Sequence, residues 1–211
     1  MNVDKLVTMV ARLGTAESTP SSTRKAELLD YVNIAYGRLF QEAKQAGRHL
    51  LSATQEVTVT DGVGTLNGNH AFILSVRDLG NASRHLTASD VEEIELLDPE
   101  EDNTGSPDRY YLTGLNTLNL WPRNDTTAKV RSVPMPTDLS LGADESTILI
   151  PPPYHSAIIW GAILWAVFDE RDKGFNVEVS FARQEYAREK GALIGFLERQ
   201  SKRKLAVKQW H

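Results

Sequence analysis

Residues 150–172 read IPPPYHSAIIWGAILWAVFDERD, three prolines leading into an unbroken apolar run that ends at a cluster of charges. The run covers residues 157–168, twelve positions, whereas a membrane-spanning helix takes about 20 residues at roughly 1.5 Å of rise each. The stretch therefore reads as a core helix. Being apolar nearly all round, it is expected to be covered on most sides. The prolines cannot join a β ladder but are tolerated where a helix begins, so they mark the exit from a sheet and the entry into this helix.

The partners for that helix lie at both ends of the chain. Val3, Leu6, Val7, Val10 and Leu13 recur at helical spacing, with Gly14 as the expected stop. After the polar link TAESTPSST, with Ser22 or Thr23 as N-cap, a second helix carries Leu28, Leu29, Val32, Ala35, Tyr36, Leu39, Phe40 and Ala43 on one broad face up to Gly47. A last helix has the stripe Phe175, Val179, Ala182, Tyr186, Leu193 and either Phe196 or Leu197. Between them, from about residue 50, the apolar period changes to two. Strands are expected at 54–60, 71–77, 109–113, 117–121, 128–134 and 146–150, with a helical turn started by Ser89 or Asp90. Turn residues at Asp61-Gly62, Asn67-Gly68-Asn69, Thr113-Gly114 and Arg123-Asn124-Asp125 suggest an antiparallel meander. The fold class is thus α+β: a helical bundle from N- and C-terminal helices (1–48 and 151–200) with an inserted antiparallel β module (49–150) and a basic tail (201–211).

Composition is that of an ordinary soluble globular chain, with 41% hydrophobic and 24% charged residues. The absence of cysteine excludes disulfides and thiolate metal sites. The N-terminal MNVDKLVTMVARLG carries Asp4 and no cleavage site, so no secretory route is expected. A net charge of -5 argues against a protein that grips nucleic acid over its whole surface. Charge is segregated. Asp90, Glu92, Glu93, Glu95, Asp98, Glu100, Glu101 and Asp102 form an acidic block without a base, while Arg199, Lys202, Arg203, Lys204 and Lys208 crowd the end of the chain.

No catalytic constellation stands out. The histidines at 49, 70, 85, 155 and 211 are single, and His155, at a helix start, reads as a hydrogen-bonded structural residue. Gly62, Gly64 and Gly68 fall between strands and read as turn glycines rather than a phosphate cradle. No G-x-S-x-G elbow or G-K-[ST] loop occurs, and the carboxylates show no acid–base spacing. No cofactor and no metal are implied. Trp121, Trp160 and Trp165 read as core, whereas Trp210 follows a basic run where the fold gives it no task.

An ordered set of segments carries a resemblance. These are AELLDYVNIAYGRLF, GSPDRYYLTGLNTLNLWPRND, AKVRSVPMP with DLSLGADESTILIPPPYH, and AIIWGAILWAVFDERD before a long helix. Over about residues 24–197 the chain resembles the bacteriophage head-to-tail connector proteins, the adaptors of the virion neck. The resemblance implies a non-enzymatic structural protein, assembled in the host cytoplasm as a dodecameric ring on the portal. A downstream neck or tail protein would follow it, with genomic DNA passing through the central channel without sequence-specific binding and no membrane involved. The longer loop at 87–107 and the basic tail depart from a minimal member, which keeps open a stopper or a podovirus-type tubular tail protein.

Two surfaces are expected to do the binding. Lys202, Arg203, Lys204, Leu205, Lys208 and Trp210 combine charge with apolar anchors suited to docking on the portal. Glu92, Glu93 and Glu95 are expected to line the channel or lie between subunits, where negative charge keeps DNA from sticking. A different class of reading is a β-rich ligand-binding module using Tyr110, Tyr111 and Trp121 on one exposed sheet face, and another is a small hydrolase whose carboxylates converge in a cleft.

Overall fold

The structure, a computed structural model, describes residues 1–80, 83–100, 102–169 and 174–208, with side chains as far as Ser201. It is mixed α and β, with five α-helices and a seven-stranded barrel among the described residues. The chain divides into two compact units, Met1–Leu51 with Pro136–His211, and Ser52–Met135.

In the first unit, α1 (Val3–Thr15) is capped by Asn2, whose side chain accepts from the Lys5 amide at 3.0 Å. The N-cap of α2 (Ser22–Ala46) is Ser21 rather than Ser22 or Thr23, and its hydroxyl accepts from Arg24 N at 3.2 Å. The apolar run forms α4 (His155–Phe168), entered through a 3₁₀ turn at Pro152–Tyr154 as the prolines require. Helices α1, α2 and α5 (Val179–Lys208) all pack against α4. Ile158, Ala162, Ile163 and Ala166 are fully buried there. Gly161 permits the approach, since a Cβ at that position would lie 3.0 Å from Ala35 Cβ and 3.1 Å from Tyr186 Cε2.

Gly14 does not stop α1. It lies buried inside the last turn, and the left-handed residue that follows the helix is Ala16. Residues 146–150 are not a strand either. A 3₁₀ turn at Glu145–Thr147 leads into a segment that groups with the helices instead of the β module. Two side chains of α2 explain this: Asn33 exchanges hydrogen bonds with both backbone groups of Leu139 at 2.8 and 3.2 Å, and the Tyr36 hydroxyl accepts from Leu149 N at 3.0 Å. Leu139, Ile148 and Ile150 are buried alongside.

The second unit holds β1 (Ala53–Thr60), β2 (Val63–Thr65), β3 (His70–Asp78), β4 (Arg84–Ala88), β5 (Arg109–Thr113), β6 (Thr117–Trp121) and β7 (Thr126–Pro134). They close in the order β1-β2-β6-β5-β4-β3-β7, with β7 returning to β1. This is not a meander, and it is not wholly antiparallel. The pair β4–β5 is parallel, because the chain between them crosses over through α3 (Val91–Leu97). Alternation places Val57, Val59, Val76, Leu86, Leu118, Leu120 and Val130 inside the barrel. Closure also leaves no long unpaired edge.

Candidate assembly surfaces

The acidic block is the first surface to resolve into parts. Ile94 is buried and seats α3 against the barrel. At the C-terminal end of α3, the Asp98 carboxylate accepts from the Trp121 indole N–H at 3.0 Å and from the amides of Asn103 at 3.1 Å and Asp102 at 3.3 Å. Burial alone would raise the Asp98 pKa. The three hydrogen bonds and the charge of Arg123 outweigh it and hold the carboxyl below its usual range. Glu93 accepts from Ser89 Oγ and from Arg109, and these bonds, that from Ser89 foremost, lower its pKa too. The block is therefore relieved by a base from β5, and Glu93 is spent on fastening the helix.

Glu92 and Glu95 are different. Both are exposed, and neither forms an ion pair among the described residues. Their spacing puts them on one face of α3 together with Leu96, which is 84% exposed. Glu92 and Glu95 are thus two outward carboxylates beside an apolar tip, while Glu93, also exposed, is held by Ser89 and Arg109.

The basic tail continues α5, whose backbone is helical through Lys208. Leu193 and Leu197 are fully buried, and Ser201 Oγ donates to the Ala46 carbonyl at 3.1 Å. Lys202, Arg203, Lys204, Leu205 and Lys208 follow on this helix. Their side chains, and Trp210 altogether, lie outside the described residues.

A third surface was not anticipated. The apolar run is not wholly core: Trp160 and Trp165 are half-buried and Phe168 is 48% exposed. A shallow groove of about 300 Å³ is lined by Tyr31, Ile34, Trp165, Phe168 and Asp169. The Arg38 guanidinium lies 3.9 Å from the Trp165 ring centroid, and the Tyr31 hydroxyl donates to Asp169 Oδ2 at 2.9 Å. Trp160 packs edge-on against Phe181, with centroids 5.5 Å apart. One sequence signal was available, since Ile34 falls off the apolar stripe of α2 and had no core task.

Tyr110, Tyr111 and Trp121 do not share a face. Adjacent strand residues point oppositely, so Tyr110 is buried in the barrel, where burial raises its pKa, and Tyr111 is not. Trp121 is half-buried and committed to Asp98. His155 is the expected structural histidine: it is buried, with Nε2 donating to the Ile150 carbonyl at 2.8 Å. Among the described residues no three His, Asp or Glu side chains are placed to hold a metal ion, and no helix is long and apolar enough to cross a membrane.

The described residues of these units thus expose aromatic and leucine side chains beside charge, as contact surfaces do. Residues 1–208 match the family described as SU10 adaptor protein. The chain belongs to that family, a phage head-to-tail adaptor family. No curated protein matches it.

Proposed function

We propose that this protein is a structural component of the phage neck, forming a dodecameric ring on the portal that links the capsid to the tail and leaves a central channel for DNA. The observation that carries this reading is the family match along residues 1–208, which takes in both the helices and the barrel. Helices from the two ends of the chain, gathered on α4, serve as the platform, and the barrel is the module inserted between them. The basic end of α5, from Lys202 through Lys208 and on to Trp210, docks on the portal, and a downstream neck or tail protein takes the opposite side. Glu92 and Glu95 face the channel or the neighbouring subunit, while Glu93 holds α3 in place. The protein acts by binding rather than by catalysis.

The free chain is expected to be a monomer or small oligomer, because among the described residues the exposed apolar side chains, such as Ile34, Leu96, Leu115 and Phe181, are spread over different elements and turns. Negative-stain images of the protein mixed with a portal should show dodecameric rings seated on it. Removing residues 202–211, which spares the Ser201 anchor, should leave the melting temperature nearly unchanged and abolish these rings. Truncated protein that still decorates the portal with full affinity would overturn the assignment of the tail, and parent protein that never decorates it would overturn the reading itself.

A further inference from the structure

The barrel carries a cluster of positive charge that neither the neck reading nor the fold has used. Lys129 of β7 stands directly opposite Arg77 of β3, and Arg77 in turn stands opposite His85 of β4. Two residues along β7, Arg131 lies between Ser75 of β3 and Thr54 of β1. These side chains point away from the core, since their strand neighbours Val76, Ala128 and Val130 are the ones inside. Like charges directly opposite one another on a sheet are destabilising. Glu56, across from Lys129 on β1, is the nearest relief in register, yet neither Arg77 nor Lys129 forms an ion pair among the described residues. In a chain of net charge -5, two cations held opposite each other without an ion pair among the described residues are a surface kept for something else. The row borders a groove of about 330 Å³ lined by Arg77, Lys129, Arg131 and the hydroxyls of Ser75 and Ser83, with one apolar residue, Leu79.

We propose that this groove receives α3 of a second copy of the chain, with Glu92 and Glu95 set against Arg77 and Lys129 and Leu96 seated on Leu79. The match is in sign and in shape of chemistry. The groove offers two unpaired cations around an apolar residue, and α3 offers two unpaired carboxylates beside an apolar tip. A DNA backbone would satisfy the cations but give Leu79 and Leu96 nothing to bury against. The two surfaces sit on different parts of one barrel, α3 against β5 and the basic row on β3 and β7, with β4 between. A contact of this kind is head-to-tail: each copy uses its groove on one side and its α3 on the other, which propagates round a ring. The proposal rests on the ring reading and names the contact that joins neighbours. One turn of helix is small beside the roughly 1,200 Å² of a stable interface, so the contact forms fully only where a scaffold holds copies side by side.

The chain has no cysteine, so engineered pairs report the contact cleanly. Full-length Ser83→Cys protein mixed at high concentration with full-length Leu96→Cys protein should form a disulfide-linked heterodimer under mild oxidation, and Ser83→Cys mixed with Thr19→Cys should not. Adding Arg77→Glu and Lys129→Glu to the first partner should cut the yield about tenfold, and adding Glu92→Lys and Glu95→Lys to the second should restore it. Cross-linking indifferent to either reversal, or a reversed pair that is not rescued, overturns the proposal. Rings that still form on a portal from Arg77→Glu/Lys129→Glu protein sink the contact and leave the neck reading standing. Charge-dependent cross-linking without any ring on a portal does the opposite. If the same double variant keeps its cross-link but loses binding to duplex DNA, the groove is a phosphate surface and the proposal is wrong.

Discussion

Gly14 and Phe175 interlock so closely that a Cβ on Gly14 would fall 2.1 Å from Cε1 of the phenylalanine ring. Asn176 N donates to the Gly14 carbonyl at 2.9 Å, so the backbone there is also fixed. Gly14→Ala should therefore destabilise the helical unit by overpacking, by about 1–3 kcal/mol, even though alanine is the better helix former. Pairing it with Phe175→Ala should remove the clash. Urea unfolding of the two single variants and the double variant checks this, and strictly additive losses would show that the ring is not what excludes the methyl group.

Along α4, burial decides the ranking of substitutions. Ile163 is fully buried, so Ile163→Ala should cost about 2–5 kcal/mol and Ile163→Asp should prevent folding. Trp165 is half-buried and stacked under Arg38, so Trp165→Ala should cost less than Ile163→Ala despite removing a larger side chain. Denaturation midpoints in the reverse order would contradict the packing described.

The difference between Ile163 and Trp165 shows what the sequence could carry. Periodicity located α2, α5 and five of the strands, because one buried stripe or face repeats over many residues. It missed β2, which has only three residues, and β4, where RHLTA turns a single apolar residue, Leu86, inward. Neither is long enough to declare a period. Barrel closure and the parallel β4–β5 pair depend on partners far apart in sequence, and the local pattern does not encode them. An all-apolar helix has no polar face to betray which side meets water, so Trp165 and Phe168 read as core. Of the candidate surfaces, the acidic block was legible as charge. Its division into the fastened Glu93 and the outward Glu92 and Glu95 required Arg109, which sits 16 residues away.

Stability should fall on mild acidification. The buried His155 donates from Nε2 to Ile150, its Nδ1 has no partner, and burial lowers its pKa against the opposing pull of that hydrogen bond. In the unfolded chain an imidazole titrates near pH 6.5. Between the folded and unfolded values the unfolded state binds the proton, so this contribution is complete above about pH 6.5 and is lost as pH falls through it. His70, whose pKa burial also lowers, adds a loss of the same sign. Urea midpoints should decline from about pH 7.5 to about pH 5.5, and less steeply in His155→Gln. Equal slopes would remove His155 from the account.

Asp98 should prove the fastening point of α3. Its carboxylate gathers the Trp121 indole and two amides, and it is the buried end of a helix that carries the outward Glu92, Glu95 and Leu96. Asp98→Ala leaves all three donors without their acceptor. Asp98→Asn keeps one oxygen but turns an amide group toward donors, so it should fall between the alanine variant and the parent. The depressed carboxyl pKa adds a stability term that is complete above about pH 4 and is lost as pH falls toward the folded value. The readouts are Trp121 fluorescence and hydrogen exchange at residues 91–103. Exchange there should quicken in Asp98→Ala while the β1–β7 ladder stays protected. Uniform quickening over the whole barrel would mean that Asp98 supports the fold at large, and unchanged exchange would mean that α3 is held by Ile94 and the Glu93–Arg109 pair without it.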